Sequence, residues 1–125
     1  MIFIRVIAYF VLSLCAVWVN AANEFLASDQ AFKFQATSLS EQTVELKWDV
    51  APHYYLYHDQ FKVSQAQKPL AFKLPAGQEK DDPTFGLTRV HYGQVTTQIQ
   101  VKPNQQYQIT WRGCAADGLC HAVQR

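Results

Sequence analysis

At 125 residues, with 11 Lys and Arg against 10 Asp and Glu and a formal net charge of +1, the chain has neither a basic stripe for nucleic acid nor a polybasic patch for a membrane surface. Hydrophobic residues make up 49% and aromatics 14%, enough to bury the core of one domain without obligatory staples. Charge alone names no partner.

The chain opens on Met1–Arg5, with one positive charge, followed by the apolar run VIAYFVLSLCAVWV over residues 6–19. The run is shorter than the roughly 20 apolar residues of a membrane anchor and ends at VNAA, where Val19 and Ala21 supply small residues for a signal peptidase. The expectation is a signal peptide over residues 1–21, cleaved after Ala21, and a mature domain over 22–125. Leu14 before Cys15 argues against lipidation, because a lipoprotein signal wants a small residue there. Removal of the leader leaves two thiols, Cys114 and Cys120, in an exported compartment where such a pair is expected to oxidise.

Along the mature chain the dominant period is two. AFKFQA, with Phe32 and Phe34, reads as the first strand. In TVELKWDV, Val44, Leu46, Trp48 and Val50 share one face, and Thr43, Glu45, Lys47 and Asp49 share the other. FKVS, LAFKL (Leu70, Phe72, Leu74), QVTTQIQV and QYQITW (Tyr107, Ile109, Trp111) repeat the signal, while no long segment keeps helical spacing. Turn residues lie between them at APH, LPAGQ, KDDPTFG, Tyr92-Gly93 and KPNQQ. Many short strands at this spacing predict an all-β fold, an antiparallel immunoglobulin-like β-sandwich. His53, His58 and His91 read as surface or loop histidines.

The last chemistry-bearing stretch is WRGCAADGLCH, Trp111–His121. With Tyr107, Ile109 and Trp111 on the core face, alternation puts Cys114 on the opposite face with Gln108, Thr110 and Arg112, unless Gly113 bends the register. Facing residues of an antiparallel pair lie about 4.5–5.5 Å apart, within reach of a disulfide, and Asp117-Gly118 suits a turn with positive φ. A structural clasp and a redox pair both fit this spacing. Closing so short a ring stabilises a fold by only about 2 kcal/mol, whereas exchange needs two sulfurs that can meet, one of them accessible. A metal site of Cys114, Cys120 and His121 lacks the short zinc spacing and an evident fourth ligand. A Cys-His nucleophile is disfavoured too, since His121, next to Cys120, points away from it on a strand.

WRGCAADGLCH is similar to the cysteine hairpin of the N-terminal periplasmic domain of the DsbD family of thiol:disulfide interchange proteins. SDQAFKF, LKWDV, HYYLYHDQFKV and EKDDPTFG follow in the family's order, so the resemblance spans residues 24–121. It implies that Cys114 and Cys120 are the redox pair, Cys120 exchanging with partners and Cys114 resolving. It further implies that Tyr55 and Tyr57 line the site, which from the residues alone is equally ordinary strand packing. DDPTFG corresponds to a cap loop: Asp82 matches its acid, able to hold a nearby thiol's pKa up but equally readable as a solvated turn residue, and Phe85 is its one aromatic. No cofactor or metal is implied. The implied partners are a thioredoxin-like donor and periplasmic thioredoxin-fold acceptors, a disulfide isomerase or a cytochrome c maturation thioredoxin.

Two departures stand out. The acidic-aromatic-aromatic-Gly order of the family's cap is here Pro83, Thr84, Phe85 and Gly86, and His121-Ala122-Val123 replaces the Tyr-Pro-Pro that leads into a further strand. That closing strand is therefore expected to be missing, and the family's membrane and thioredoxin-like domains to lie outside these 125 residues. The alternative from another class is an exported immunoglobulin-like binding domain with a purely structural disulfide.

Overall fold

The computed structural model describes residues 25–125; the expected leader, 1–21, lies outside the described residues. Ten strands carry the fold: β1 (Phe32–Ser38), β2 (Thr43–Val50), β3 (Tyr54–Tyr57), β4 (Lys62–Gln65), β5 (Lys68–Pro69), β6 (Gln78–Asp82), β7 (Gly86–His91), β8 (Gln94–Gln100), β9 (Tyr107–Thr110) and β10 (Gly113–Ala115). A four-residue helix, α1 (Ser28–Ala31), and a 3-10 turn at His58–Gln60 are the helical pieces among the described residues. None of them is long and apolar enough to cross a membrane.

All pairings between these strands are antiparallel, in three sheets ordered β1-β2-β8, β10-β3-β7-β6 and β5-β4-β9. The inner faces meet over one core. Phe32, Leu46, Trp48, Val95 and Ile99 come from the first sheet, Tyr54, Leu56 and Ala115 from the second, and Val63 from the third. Trp48 is its hub, with the rings of Phe61, Phe34 and Trp111 at 4.8, 5.1 and 5.8 Å. The alternation of TVELKWDV thus does what it predicts: Leu46, Trp48 and Val50 are buried and Asp49 is exposed. In QYQITW, Ile109 and Trp111 pack into the core while Tyr107 stays half-buried, its hydroxyl accepting the N–H of Lys102.

LAFKL forms no strand. Its Leu70, Phe72 and Leu74 do alternate onto the core, but the backbone has no ladder; the Thr97 hydroxyl donates to the carbonyl of Lys73, and Arg89 donates to that of Ala76. The acidic stretch read as a loop is instead the β6–β7 hairpin, with Asp82 opposite Gly86 and only Pro83–Phe85 at its tip. His91 is a further correction. It lies in β7, buried, bonded to His58 at 2.8 Å and edge-on to Phe61, so it is a core histidine and not a surface one. The tail after Cys120 returns beside Trp111, with Gln124 and Trp111 exchanging both backbone bonds.

β3 positions the site because it is buried on both sides. Tyr54 and Leu56 face the main core; Tyr55 and Tyr57 face a smaller cluster with Val90 and Cys114 on the outer side of the second sheet. Gly113 lets β10 lie this close. A Cβ at that position would collide with the Tyr55 carbonyl and sit 2.5 Å from Phe32 Cζ, both in well-packed surroundings. Gly113→Ala is therefore expected to destabilise the fold by about 3 kcal/mol through overpacking, read as a lower urea midpoint. Gly118→Ala, at a φ of 100° but in open space, should cost only about 1–2 kcal/mol.

Candidate functional site

Cys114 is the middle residue of β10, directly opposite Tyr55, and alternation turns it away from Gly113 and Ala115 onto the outer face with Arg112. After Ala115 the chain reverses. The N–H of Gly118 donates to Ala115 O at 3.0 Å, the N–H of Ala115 to Leu119 O at 2.7 Å, and that of His121 to Gly113 O at 3.0 Å. The positive φ at Gly118 supplies the turn expected from Asp117-Gly118. Cys120 is thereby brought back across from Cys114, and the two are joined by a disulfide. The sulfurs are not equivalent: Cys114 is completely buried, whereas Cys120 is half-buried at the rim.

Tyr57 reaches the pair from below. Its hydroxyl oxygen lies 2.9 Å from Cys114 Sγ and 3.7 Å from Cys120 Sγ, and it donates to Asp82 Oδ1 at 2.9 Å. Tyr55 donates to the same oxygen at 2.5 Å. The second oxygen, Oδ2, accepts the backbone N–H groups of Thr84 and Phe85 at 2.8 and 2.9 Å, which folds the hairpin tip around the carboxylate. Asp82 is thus 3% exposed, not the solvated turn residue that its sequence equally allowed.

These contacts set the charges. Burial by itself would raise the Asp82 pKa, but the hydroxyls of Tyr55 and Tyr57 and the two N–H groups hold it below the ordinary carboxylate value. Burial, reinforced by Asp82, pushes Tyr55 well above the ordinary phenol value. Tyr57 is raised too: burial leads, the Tyr55 hydroxyl and Arg112 pull the other way, and Asp82 adds to the rise. Both tyrosines therefore stay protonated over an anionic carboxylate, which is what the direction of their hydrogen bonds requires.

The rest of the rim is aromatic and basic. The Phe85 ring stands edge-on to Tyr57 at 4.9 Å, with the Arg112 guanidinium 6.0 Å from its centre. Lys80 lies over the Tyr55 ring at 5.0 Å. From the tip, Thr84 Oγ1 stands 4.0 Å from Cys120 Sγ. His121 turns the other way; its Nε2–H donates to Leu26 O at 3.0 Å and its ring packs on Phe32.

The structure therefore brings all six residues singled out by sequence, Cys114, Cys120, Tyr55, Tyr57, Asp82 and Phe85, to one rim of the second sheet. Sequence reasoning assigned no role to Thr84 or Arg112. Arg112 was readable, since alternation from Trp111 places it on the face of Cys114; Thr84 lies in a turn, where no alternation marks a face.

With the geometry established, comparison with known proteins decides the family. The model for "Thiol:disulfide interchange protein DsbD, N-terminal" matches residues 22–125. The chain belongs to the DsbD N-terminal domain family. Its relatives include thiol:disulfide interchange protein DsbD 2 of Pseudomonas aeruginosa, 32% identical over 102 residues, and DsbD of Photorhabdus laumondii, 35% identical over 103. These alignments take 82% and 79% of this chain but only 17% and 18% of those proteins. Among solved structures, the reduced DsbD N-terminal domain of Neisseria meningitidis aligns with a TM-score of 0.71 at 23% identity, over 82% of this chain and 86% of that one. The DsbD N-terminal domain in complex with the PilB N-terminal domain, also from Neisseria meningitidis, aligns with a TM-score of 0.58 at 24% identity, over 82% and 85%. The fold is thus the immunoglobulin-like β-sandwich expected of a DsbD N-terminal domain.

The buried histidine beside this site gives a pH test. Burial first, and His58 second, hold His91 at about 4, against an ordinary 6.5. The unfolded chain takes up this proton before the folded one does. The stability it contributes is complete above pH 6.5 and is lost as pH falls toward 4. His91→Phe is expected to flatten the fall of the urea midpoint between about pH 7 and 4.5, and an unchanged slope would show that His91 is not its source.

Proposed function

We propose that the chain is a thiol-disulfide interchange module, of the protein-disulfide reductase type, that passes electrons through Cys114 and Cys120. In the reduced form the Cys120 thiolate attacks a partner's disulfide, forming a mixed disulfide and releasing one partner thiolate. Cys114 then attacks the Cys120 sulfur and expels the second partner thiolate. The protein's disulfide re-forms, the partner's is reduced by two electrons, and a thioredoxin-like donor resets the cycle.

One observation carries this reading: in a disulfide at the sheet rim, Cys120 is half-exposed and Cys114 fully buried. An accessible sulfur to exchange and a shielded neighbour to resolve is the division of labour the chemistry needs. Tyr57, touching both sulfurs, and Asp82 behind it place a negative charge near the pair. In the reduced state that charge opposes thiolate formation and holds the thiol's pKa up. Tyr55 and Tyr57 line the site, and the hairpin tip closes over its rim, with Phe85 packed on Tyr57. The partners proposed are a thioredoxin-like donor and thioredoxin-fold acceptors, a disulfide isomerase or a cytochrome c maturation thioredoxin. The working compartment is the periplasm, reached through a leader cleaved after Ala21. No bound cofactor, metal or nucleic acid enters the scheme.

The rival reading, an exported binding domain with a structural disulfide, draws on the burial of Cys114. Redox titration separates the two: an interchange module titrates reversibly against thioredoxin-range buffers, whereas a structural bridge resists reduction to below roughly −300 mV. Cys114→Ala is expected to trap mixed disulfides with periplasmic thioredoxin-fold proteins through Cys120, and Cys120→Ala to trap none; a bare Cys114→Ala protein after such a search would defeat the proposal. Asp82→Asn is expected to shift the pH profile of Cys120 alkylation to lower pH, since removing the charge eases ionisation.

A further inference from the structure

At the hairpin tip the aromatic residue packs on Tyr57, and the hydroxyl of the residue before it reaches Cys120. Asp82 Oδ2 fixes the backbone of both Thr84 and Phe85 through their N–H groups, and Gly86, at a φ of 68°, closes the turn into β7. With the backbone so held, the Phe85 ring lies on Tyr57 and beneath Arg112 and remains 46% exposed. The Thr84 side chain reaches Cys120 from the tip, its Oγ1 standing 4.0 Å from Sγ. A threonine side chain is short and stiff about χ1, and it cannot spread over a sulfur as a ring can.

Resting on the interchange reading above, we propose that Thr84, and not Phe85, is the gate at Cys120, and that this gate leaves the sulfur open to low-molecular-weight disulfides as well as to proteins. A small disulfide needs only a line of approach to one sulfur, not a complementary surface, so the width of the gate decides whether it reacts. The step balances as any exchange does. The Cys120 thiolate displaces one small thiolate and forms a mixed disulfide; Cys114 displaces the second, leaving the Cys114–Cys120 disulfide and two reduced small thiols.

The probe is oxidised glutathione, mixed with the reduced full chain, with acid-quenched samples analysed by mass spectrometry for the rate of disulfide formation. T84F, which sets a ring at the sulfur-facing position, is expected to slow oxidation about tenfold, while F85A changes the rate by less than about twofold. An F85A protein oxidised about tenfold faster, or a folded T84F protein oxidised at the unaltered rate, would overturn the assignment. Should T84F not fold, T84L sets a bulky group at the same place, and F85A decides by itself. This outcome is separable from that of the broader reading. Normal glutathione kinetics without capture of any thioredoxin-fold protein by Cys114→Ala would sink the module and spare the gate; capture with the gate pattern reversed would do the opposite.

Discussion

The site depends on one buried carboxylate. Asp82 is the last residue of β6, and its two oxygens collect four donors from two places: the hydroxyls of Tyr55 and Tyr57 on β3, and the N–H groups of Thr84 and Phe85 at the hairpin tip. A buried charge is tolerated only when its lone pairs are filled, and here filling them ties the tip to the strand that faces the sulfurs. Without it, two buried tyrosine hydroxyls and two backbone donors would lose their acceptor, and Tyr57 would lose the partner that orients its oxygen toward Cys114.

The sandwich contributes a strand with no solvent side. Because Tyr54 and Leu56 are anchored in the main core and Tyr55 and Tyr57 in the outer cluster, β3 cannot slip by one residue without exchanging the two sets. β10 is registered on it, Gly113 opposite Leu56 and Cys114 opposite Tyr55, and the close approach at Gly113 admits no other side chain without displacement. The cysteine pair is therefore carried beside a strand fixed from both sides, while the residues around it, Phe85, Arg112 and Thr84, belong to its rim.

Much of this was legible in the residues, and the exceptions have physical causes. Period-two alternation identified β1, β2, β4, β8 and β9, because apolar and polar side chains alternate along each of them. It misread LAFKL, whose side chains alternate onto the core although its carbonyl at Lys73 accepts from the Thr97 hydroxyl instead of a neighbouring strand. β6 was missed because Gln78–Asp82 is almost wholly polar; only its last residue is buried, and that residue is an aspartate whose donors come from distant sequence. The β4–β5 turn was unreadable for another reason: Ala66 and Gln67 both take positive φ without a glycine or asparagine to announce it. At the site, the cysteines, tyrosines, Asp82 and Phe85 came from motif order, whereas the contact of Thr84 with sulfur is a property of the folded tip that no spacing rule contains.

The hairpin bearing the cysteines is closed twice over. Besides the sulfur link it is held by backbone bonds from Ala115 to Leu119 and from His121 to Gly113, and β10 is tied to β3 on its other side. None of those bonds passes through sulfur, so breaking the covalent link in the proposed exchange leaves the hairpin held by its backbone. A carrier of the proposed kind does not ratchet. In the proposed interchange, the direction of transfer is set by the reduction potentials and relative abundance of the partners around it, not by conformational free energy released in the protein itself.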